Sequence, residues 1–173
     1  VETGQQPLLS DEICLPRGLK RATENAYQCG LFGKWHLSRS ANGRGRHPLA
    51  CGWDKYQGML RNLERGSEDY YSWNRWDGPN VSRCSTYAPT QNVTDALEWV
   101  HSTRQPWLAW IAPAVPHVPF MKPPETHYDT DVYNLPTIEP PDSSYNIPYF
   151  KAMIQAGDYE LGRFLAGQGI GLV

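Results

Sequence analysis

Apolar and polar positions along this chain follow two different periods, and the changes of period mark its elements. Residues 8–15 form a short apolar lead-in with turn residues. Leu19, Ala22 and Ala26 then fall at helical spacing behind Pro16, which suits a first helical position, so a helix is expected over 16–26. The stretch 28–33 is too apolar to alternate and predicts a strand covered on both faces. Residues 38–57 are rich in Arg, Gly and Ser. They read as a long surface loop that returns to the fold at Cys51-Gly52-Trp53. The aromatic run 70–78 ends in Asp77-Gly78, a turn signal, and predicts a short hairpin arm whose rings suit ordinary packing or stacking on a sugar.

The second half repeats the change of period. Val93, Ala96, Leu97 and Val100 define one apolar face of a helix over 90–102, and Pro106 stops it. The continuous apolar run 107–112, flanked by prolines, predicts a central strand. A Pro-rich, mostly irregular region follows over 119–148. A last helix is expected over 149–166, with Phe150, Met153, Ile154, Gly157, Leu161, Phe164 and Leu165 on its buried side. Gly167 and Gly169 supply its stop. Residues 171–173 would begin another strand. The order strand, helix, strand, helix favours an α/β sheet that is at least partly parallel.

Composition narrows the function classes. A length of 173 residues suits one domain, and 40% hydrophobic with 20% charged residues reads as soluble and globular. A net charge of -2 leaves no basic patch of the kind nucleic acid demands. No apolar run reaches membrane-spanning length, and no signal peptide opens the chain. Val1 is not an initiator methionine, which predicts a processed chain or an excerpt from something longer. Cys14, Cys29, Cys51 and Cys84 show no C-x-x-C spacing, so zinc is not expected; they allow up to two disulfides or free buried thiols. Asn80-Val81-Ser82 and Asn92-Val93-Thr94 match the glycosylation acceptor pattern.

The most informative chemistry lies where the first apolar strand ends, in Gly33-Lys34-Trp35-His36. An ammonium and an imidazole stand two residues apart. If the backbone stays extended there, both point to one side and offer an anion a fixed charge beside a proton-transferring group. The second apolar strand breaks into a proline-rich loop that carries His117. Ligands of open parallel sheets bind beyond the carboxyl ends of strands, so Lys34, His36 and His117 are expected to converge there. The plain alternatives are a solvated Lys-x-His pair and a histidine pinned by prolines. Lys122 in the same loop would add charge or remain solvated.

Residues Asn25-Ala26-Tyr27-Gln28-Cys29-Gly30-Leu31-Phe32-Gly33-Lys34-Trp35-His36-Leu37 resemble the second signature of the type I sulfatases, A-G-Y-x-T-x-x-x-G-K-W-H-L-G. Four later blocks extend the resemblance. Cys51-Gly52-Trp53-Asp54-Lys55-Tyr56-Gln57-Gly58 is similar to G-F-D-x-x-x-G. Residues 87–100 resemble Y-x-T followed by D-A-x-x-W-I. Residues 107–119 resemble P-F-F-L-x-L-A-F-x-x-P-H-x-P, and 149–165 resemble Y-x-A-x-I-x-x-x-D-x-x-I-G-R-x-L, with Asp158 and Gly162 in place.

The resemblance implies a partial alkaline-phosphatase-like α/β sandwich: a mostly parallel sheet flanked by helices, incomplete at both ends. It implies catalytic roles for Lys34, His36 and His117. Lys34 would bind a sulfate oxygen and the formylglycine side chain, His36 would hydrogen-bond formylglycine and act as a base, and His117 would contact the ester oxygen and help the leaving group depart. Substrate binding would fall to Lys34 and His117. The implied substrate is a small-molecule or glycan sulfate ester, and the implied cofactor of the complete enzyme is calcium. A periplasmic or secreted place follows by the same analogy.

The departures from the family pattern are as specific. Cys14-Leu15-Pro16-Arg17-Gly18 lacks the Ser and the final Arg of C-x-P-S-R and reads as the lead-in to the first helix. The paired aspartates that hold calcium and the later D-N-G block have no counterpart. The chain is therefore expected to be the central part of a catalytic domain (1–173), without its nucleophile and with no metal ligands of its own. Ser38 stands where the family has Gly. Gly157 stands within the last helix, at a cost of about 1 kcal/mol relative to alanine. Alternative readings are a phosphonate or phosphate ester hydrolase of the same superfamily, a non-catalytic truncated remnant, and, from its 7 Trp, a carbohydrate-binding module.

Overall fold

The computed structural model of the chain describes residues 8–9, 12–64, 66–129, 132, 134–138 and 146–168. The expected strand at 171–173 lies outside them. So does much of the Pro-rich region, whose described part holds a β-bridge between Met121 and Ile138, a turn of 3-10 helix at Glu125–His127 and, from Asn146, the start of the last helix.

Helix α1 spans Leu15–Ala22, with Cys14 before it, Pro16 in its first turn and Lys20 and Arg21 in its last. It ends sooner than the spacing of Ala26 suggests. Glu24 and Asn25 adopt left-handed backbone with φ of 50° and 64°, and the Asn25 N–H closes on the Lys20 carbonyl at 2.8 Å. A short polar side chain such as asparagine tolerates that conformation, which no helix can continue.

Strand β1 spans Gln28–Lys34 and is buried throughout its interior. Its two faces belong to different cores. Cys29 and Leu31 pack with Trp35, Trp53 and Tyr56, whereas Phe32 packs with Val93, Ala96, Val100 and Phe164. The expectation of a doubly covered strand is met.

Residues 38–57 are not one loop. Two turns of 3-10 helix (Ser40–Asn42 and Arg44–Arg46) lead into a short helix α2, His47–Ala50. Strand β2 follows over Lys55–Met59, paired parallel to β1. Polar Lys55 and Gln57 concealed this strand in the sequence. Gln57 is buried, and its side-chain N–H donates to Asp77 Oδ2 at 3.1 Å, which offsets its desolvation.

The aromatic run becomes strand β3, Trp73–Asp77, joined to β4, Asn80–Cys84, through a turn at Gly78. The hairpin is not a free arm. It pairs antiparallel with β2, so the sheet order is β4-β3-β2-β1-β5. Tyr70 and Trp73 are fully buried and serve packing. Helix α3, Ala88–Ser102, then crosses the sheet to β5, Trp107–Ala112, parallel to β1. Strands β2, β1 and β5 pair parallel, and β3, antiparallel to both β2 and β4, is the one strand of the described sheet that runs against the other four.

Strand β5 lies at the edge of the described sheet, not at its centre. Trp107 and Trp110 are 37% and 50% exposed. A continuous apolar run signals cover on both faces, but it says nothing about which strands supply the neighbours. Helix α4, Asn146–Gly167, shows a related departure. Met153 and Phe164 are buried as expected, but the side facing the core also uses Tyr149, Ala152, Ala156 and Glu160. Phe150, Ile154 and Leu161 are exposed, and the last two border an apolar groove of about 300 Å³ with Val93, Ile111 and Val115.

Buried polar groups tie these layers together. Glu160 is 2% exposed and accepts hydrogen bonds from Arg163 Nε at 2.7 Å and from the Thr90 hydroxyl, while His127 Nε2 lies 2.9 Å away. It therefore joins α4 to α3 and to the 125–127 turn. All four cysteines are free thiols. Asn92 is fully buried, so of the two glycosylation patterns only the one at exposed Asn80 is open to modification in the folded chain.

Candidate functional site

The carboxyl ends of β1, β2 and β5 lie along one edge of the sheet because the three strands are parallel. Lys34 is the last residue of β1. His36 follows two residues later, and His117 stands in the loop after β5. Glycine makes this edge possible. Gly33 (φ 111°) pairs with Gly58 on one side and Ala112 on the other, and a Cβ on it would sit 2.1 Å from the Ala112 carbonyl oxygen.

The backbone does not stay extended through His36. The N–H groups of Trp35 and His36 both donate toward β2, to the Met59 and Leu60 carbonyls at 3.0 Å each. Successive N–H groups of a regular strand point to opposite sides, so alternation ends at Lys34. His36 itself is left-handed, with φ of 53°. The expected same-side geometry of the pair therefore fails, and the two side chains have different surroundings.

Lys34 Nζ donates to Asn62 Oδ1, just past the end of β2. Among the described residues no carboxylate pairs with it. Burial pushes its pKa below the ordinary lysine range, because the charged form has lost water without gaining a counter-ion. An anion placed at Nζ would restore that balance.

His36 lines an open cavity of about 640 Å³ beyond the ends of β1 and β2. Arg39, Arg44, Arg61, Glu68 and Trp76 share its wall; Lys34 and His117 are not among its lining residues. Arg39 and Arg44 belong to the segment 38–57 that the sequence predicts as a surface loop. The recurrence of arginine just after Lys34-Trp35-His36 was the available signal for these two; Arg61, past the end of β2, carried none.

His117 is exposed, and its Nδ1 lies 2.9 Å from the Val118 carbonyl. Its backbone is anchored instead: the Tyr70 hydroxyl lies 2.8 Å from the His117 carbonyl and 3.0 Å from that of Ala114. Lys122, half-buried, donates its backbone N–H to Thr137 at 2.9 Å. Cys14 stands at the head of α1 and packs against the cluster that holds Cys51 and Trp35. Among the described residues no group of three or more His, Cys, Asp or Glu side chains is arranged to hold a metal ion, so the described residues do not fit the implied calcium site.

Trp35 positions the strand end from behind. Its Nε1–H donates to His47 Nδ1 at 3.1 Å, and His47 Nε2 lies 3.2 Å from the Leu8 carbonyl. That pair of partners fixes a neutral imidazole protonated at Nε2. Burial pushes the His47 pKa below the usual histidine value. Between that depressed value and about 6.5 the unfolded chain binds more protons than the folded one, so stability rises with pH across this window. We expect stability to fall as pH drops below about 6.5 and this contribution to be absent from His47→Gln. Urea midpoints of both chains across the acid range measure it, and identical acid slopes would contradict it.

No family model matches the sequence, and no curated protein does. Solved structures do. Ps i-CgsB, crystallised with a k-i-k-neocarrahexaose, superposes with a TM-score of 0.72 at 18% identity, over 96% of this chain and 38% of that one. A Bacteroides thetaiotaomicron protein (BT33494S-sulf), tied to a core genetic locus for metabolism of multiple glycosaminoglycans, gives 0.69 at 14% identity, over 95% and 40%. The "putative sulfatase yidJ" of Bacteroides fragilis gives 0.67 at 20% identity, over 94% and 41%. The fold of this chain is that of part of a sulfatase-like domain, an open five-stranded sheet flanked by helices, and it spans about two fifths of the length of these neighbours.

Proposed function

We propose that the chain is the central part of a sulfatase catalytic domain that hydrolyses sulfate esters of small molecules or glycans, with Lys34, His36 and His117 as its catalytic residues. The observation that carries this reading is the place of Gly33-Lys34-Trp35-His36. It ends β1, held between the parallel strands β2 and β5 of a sulfatase-like fold, and His36 beyond it lines a basic cavity. Lys34, short of a counter-ion, binds a sulfate oxygen and stabilises charge that grows on it. His36 accepts or returns a proton at the same edge of the sheet. His117, exposed on an anchored backbone, donates a proton to the departing ester oxygen. The nucleophile and the metal ligands come from outside the described residues, and calcium, when bound, would stabilise charge on the sulfuryl group.

Turnover by the complete protein on paired aryl sulfate and aryl phosphonate esters tests the reading. The sulfate is expected to be preferred. Lys34→Ala is expected to lower kcat/KM by about 100- to 1,000-fold, and His117→Ala to lose more activity on alkyl than on activated aryl sulfates. The isolated 173-residue chain is expected to show no turnover, even with calcium. A strong preference for the phosphonate would assign the protein to phosphonate ester hydrolysis instead.

A further inference from the structure

The cavity beside His36 is larger than one sulfate group needs. At about 640 Å³ it falls within the range of roughly 300–1,000 Å³ typical of small-molecule sites. Its charge is also lopsided. Arg39, Arg44 and Arg61 face one carboxylate, Glu68, whose Oε1 already accepts the Asn74 backbone N–H at 2.8 Å. Arg61 has an exposed ion pair with Glu64 at 3.5 Å, a weak commitment. Among the described residues neither Arg39 nor Arg44 pairs with a carboxylate. Guanidinium forks at the wall of a cavity match the paired oxygens of a sulfate or a carboxylate.

The wall is built rather than incidental. His36, Gly43 and Arg44 all have left-handed backbone, with φ of 53°, 93° and 51°. Such conformations in non-glycine residues persist only where the surroundings impose them. Gly45 supplies the constraint. A Cβ there would sit 2.0 Å from the Gly78 carbonyl oxygen and 2.6 Å from the Trp76 ring, so the arginine-bearing turn is pressed onto the β3–β4 hairpin. Trp76, half-buried, completes the wall with an aromatic surface suited to the apolar face of a sugar ring.

We propose that this cavity is a subsite for a second anionic group on a saccharide substrate. The ring bearing the reacting sulfate lies beside His36, and Arg39 and Arg44 hold a sulfate or carboxylate on the adjoining ring against Trp76. The proposal rests on the sulfatase reading for the identity of the first ring. It adds that the substrate carries at least two negative groups on neighbouring sugars.

Calorimetric titration of the chain with three disaccharides tests it. Each carries one sulfate on a hexosamine; the second ring is a neutral hexose, a hexuronate or a sulfated hexose. One or both doubly charged probes are expected to bind at least about tenfold more tightly than the neutral-ring probe, and which of them does so identifies the second group. Arg39→Ala/Arg44→Ala is expected to remove that gain and leave the neutral-ring probe unchanged. Equal binding of all three probes, or a gain that survives in the double variant, would overturn the subsite. Lys34→Ala separates the two claims. If it leaves every affinity unchanged while the arginine effect persists, the subsite stands and the reading of the reacting site fails.

Discussion

Gly33→Ala is expected to cost about 2–6 kcal/mol and to disable the sheet edge that carries Lys34. Two independent penalties add. The backbone at this position has φ of 111°, which a residue with a Cβ adopts only under strain, and the new carbon would lie 2.1 Å from the Ala112 carbonyl oxygen. Each penalty is of order 1–3 kcal/mol. Relief requires β5 to move away from β1, and the next residue toward the site is Lys34. The same level of the sheet is tight on the other side, where a Cβ on Gly58 would meet the Gly33 carbonyl oxygen at 1.9 Å. Urea unfolding measures the loss; a midpoint unchanged from the parent would show that the three strands do not approach as closely as described.

Glu160→Ala carries the second large effect. It leaves Arg163 and His127 without their shared buried carboxylate and removes the acceptor of the Thr90 hydroxyl. Breaking a buried charged pair from one side typically costs about 3–5 kcal/mol, because the remaining charge is desolvated and uncompensated. Glu160→Gln keeps one oxygen acceptor and is expected to cost less. A loss below about 1 kcal/mol for the alanine variant would mean that water enters the cluster and screens it.

Sequence reading reached the parts of this fold that apolar periodicity controls. Strand β1 and helices α3 and α4 declare themselves through apolar buried positions, and β5 through its continuous apolar run, although none of its residues is fully buried. Strand β2 does not. Gln57 is buried on a hydrogen bond to a side chain on another strand, and no local pattern announces that partner. The exposed face of α4 was misread for the opposite reason. Phe150, Ile154 and Leu161 are as apolar as core residues, and nothing in their spacing distinguishes a covered face from an open one.

The site was legible to the same degree. The residue types in Gly33-Lys34-Trp35-His36 and the position of His117 after a strand were sufficient to place all three residues beyond or at the carboxyl ends of β1 and β5. The geometry was not. The paired N–H donation of Trp35 and His36 toward β2 breaks the alternation that would have set Lys34 and His36 side by side. The arginines on the cavity wall went unassigned because their grouping depends on Gly45 closing against Gly78 and Trp76, a contact between segments far apart in sequence.

In the proposed function Lys34, His36 and His117 serve one anion. Side-chain resonances of lysine and histidine in the 173-residue chain, followed during titration with inorganic sulfate, test it directly. All three are expected to respond along a single saturation curve, and the depressed pKa of Lys34 to rise as sulfate binds, so that affinity falls as pH climbs through that pKa. A His117 signal that stays fixed while Lys34 and His36 shift, or a Lys34 pKa that ignores sulfate, would contradict it.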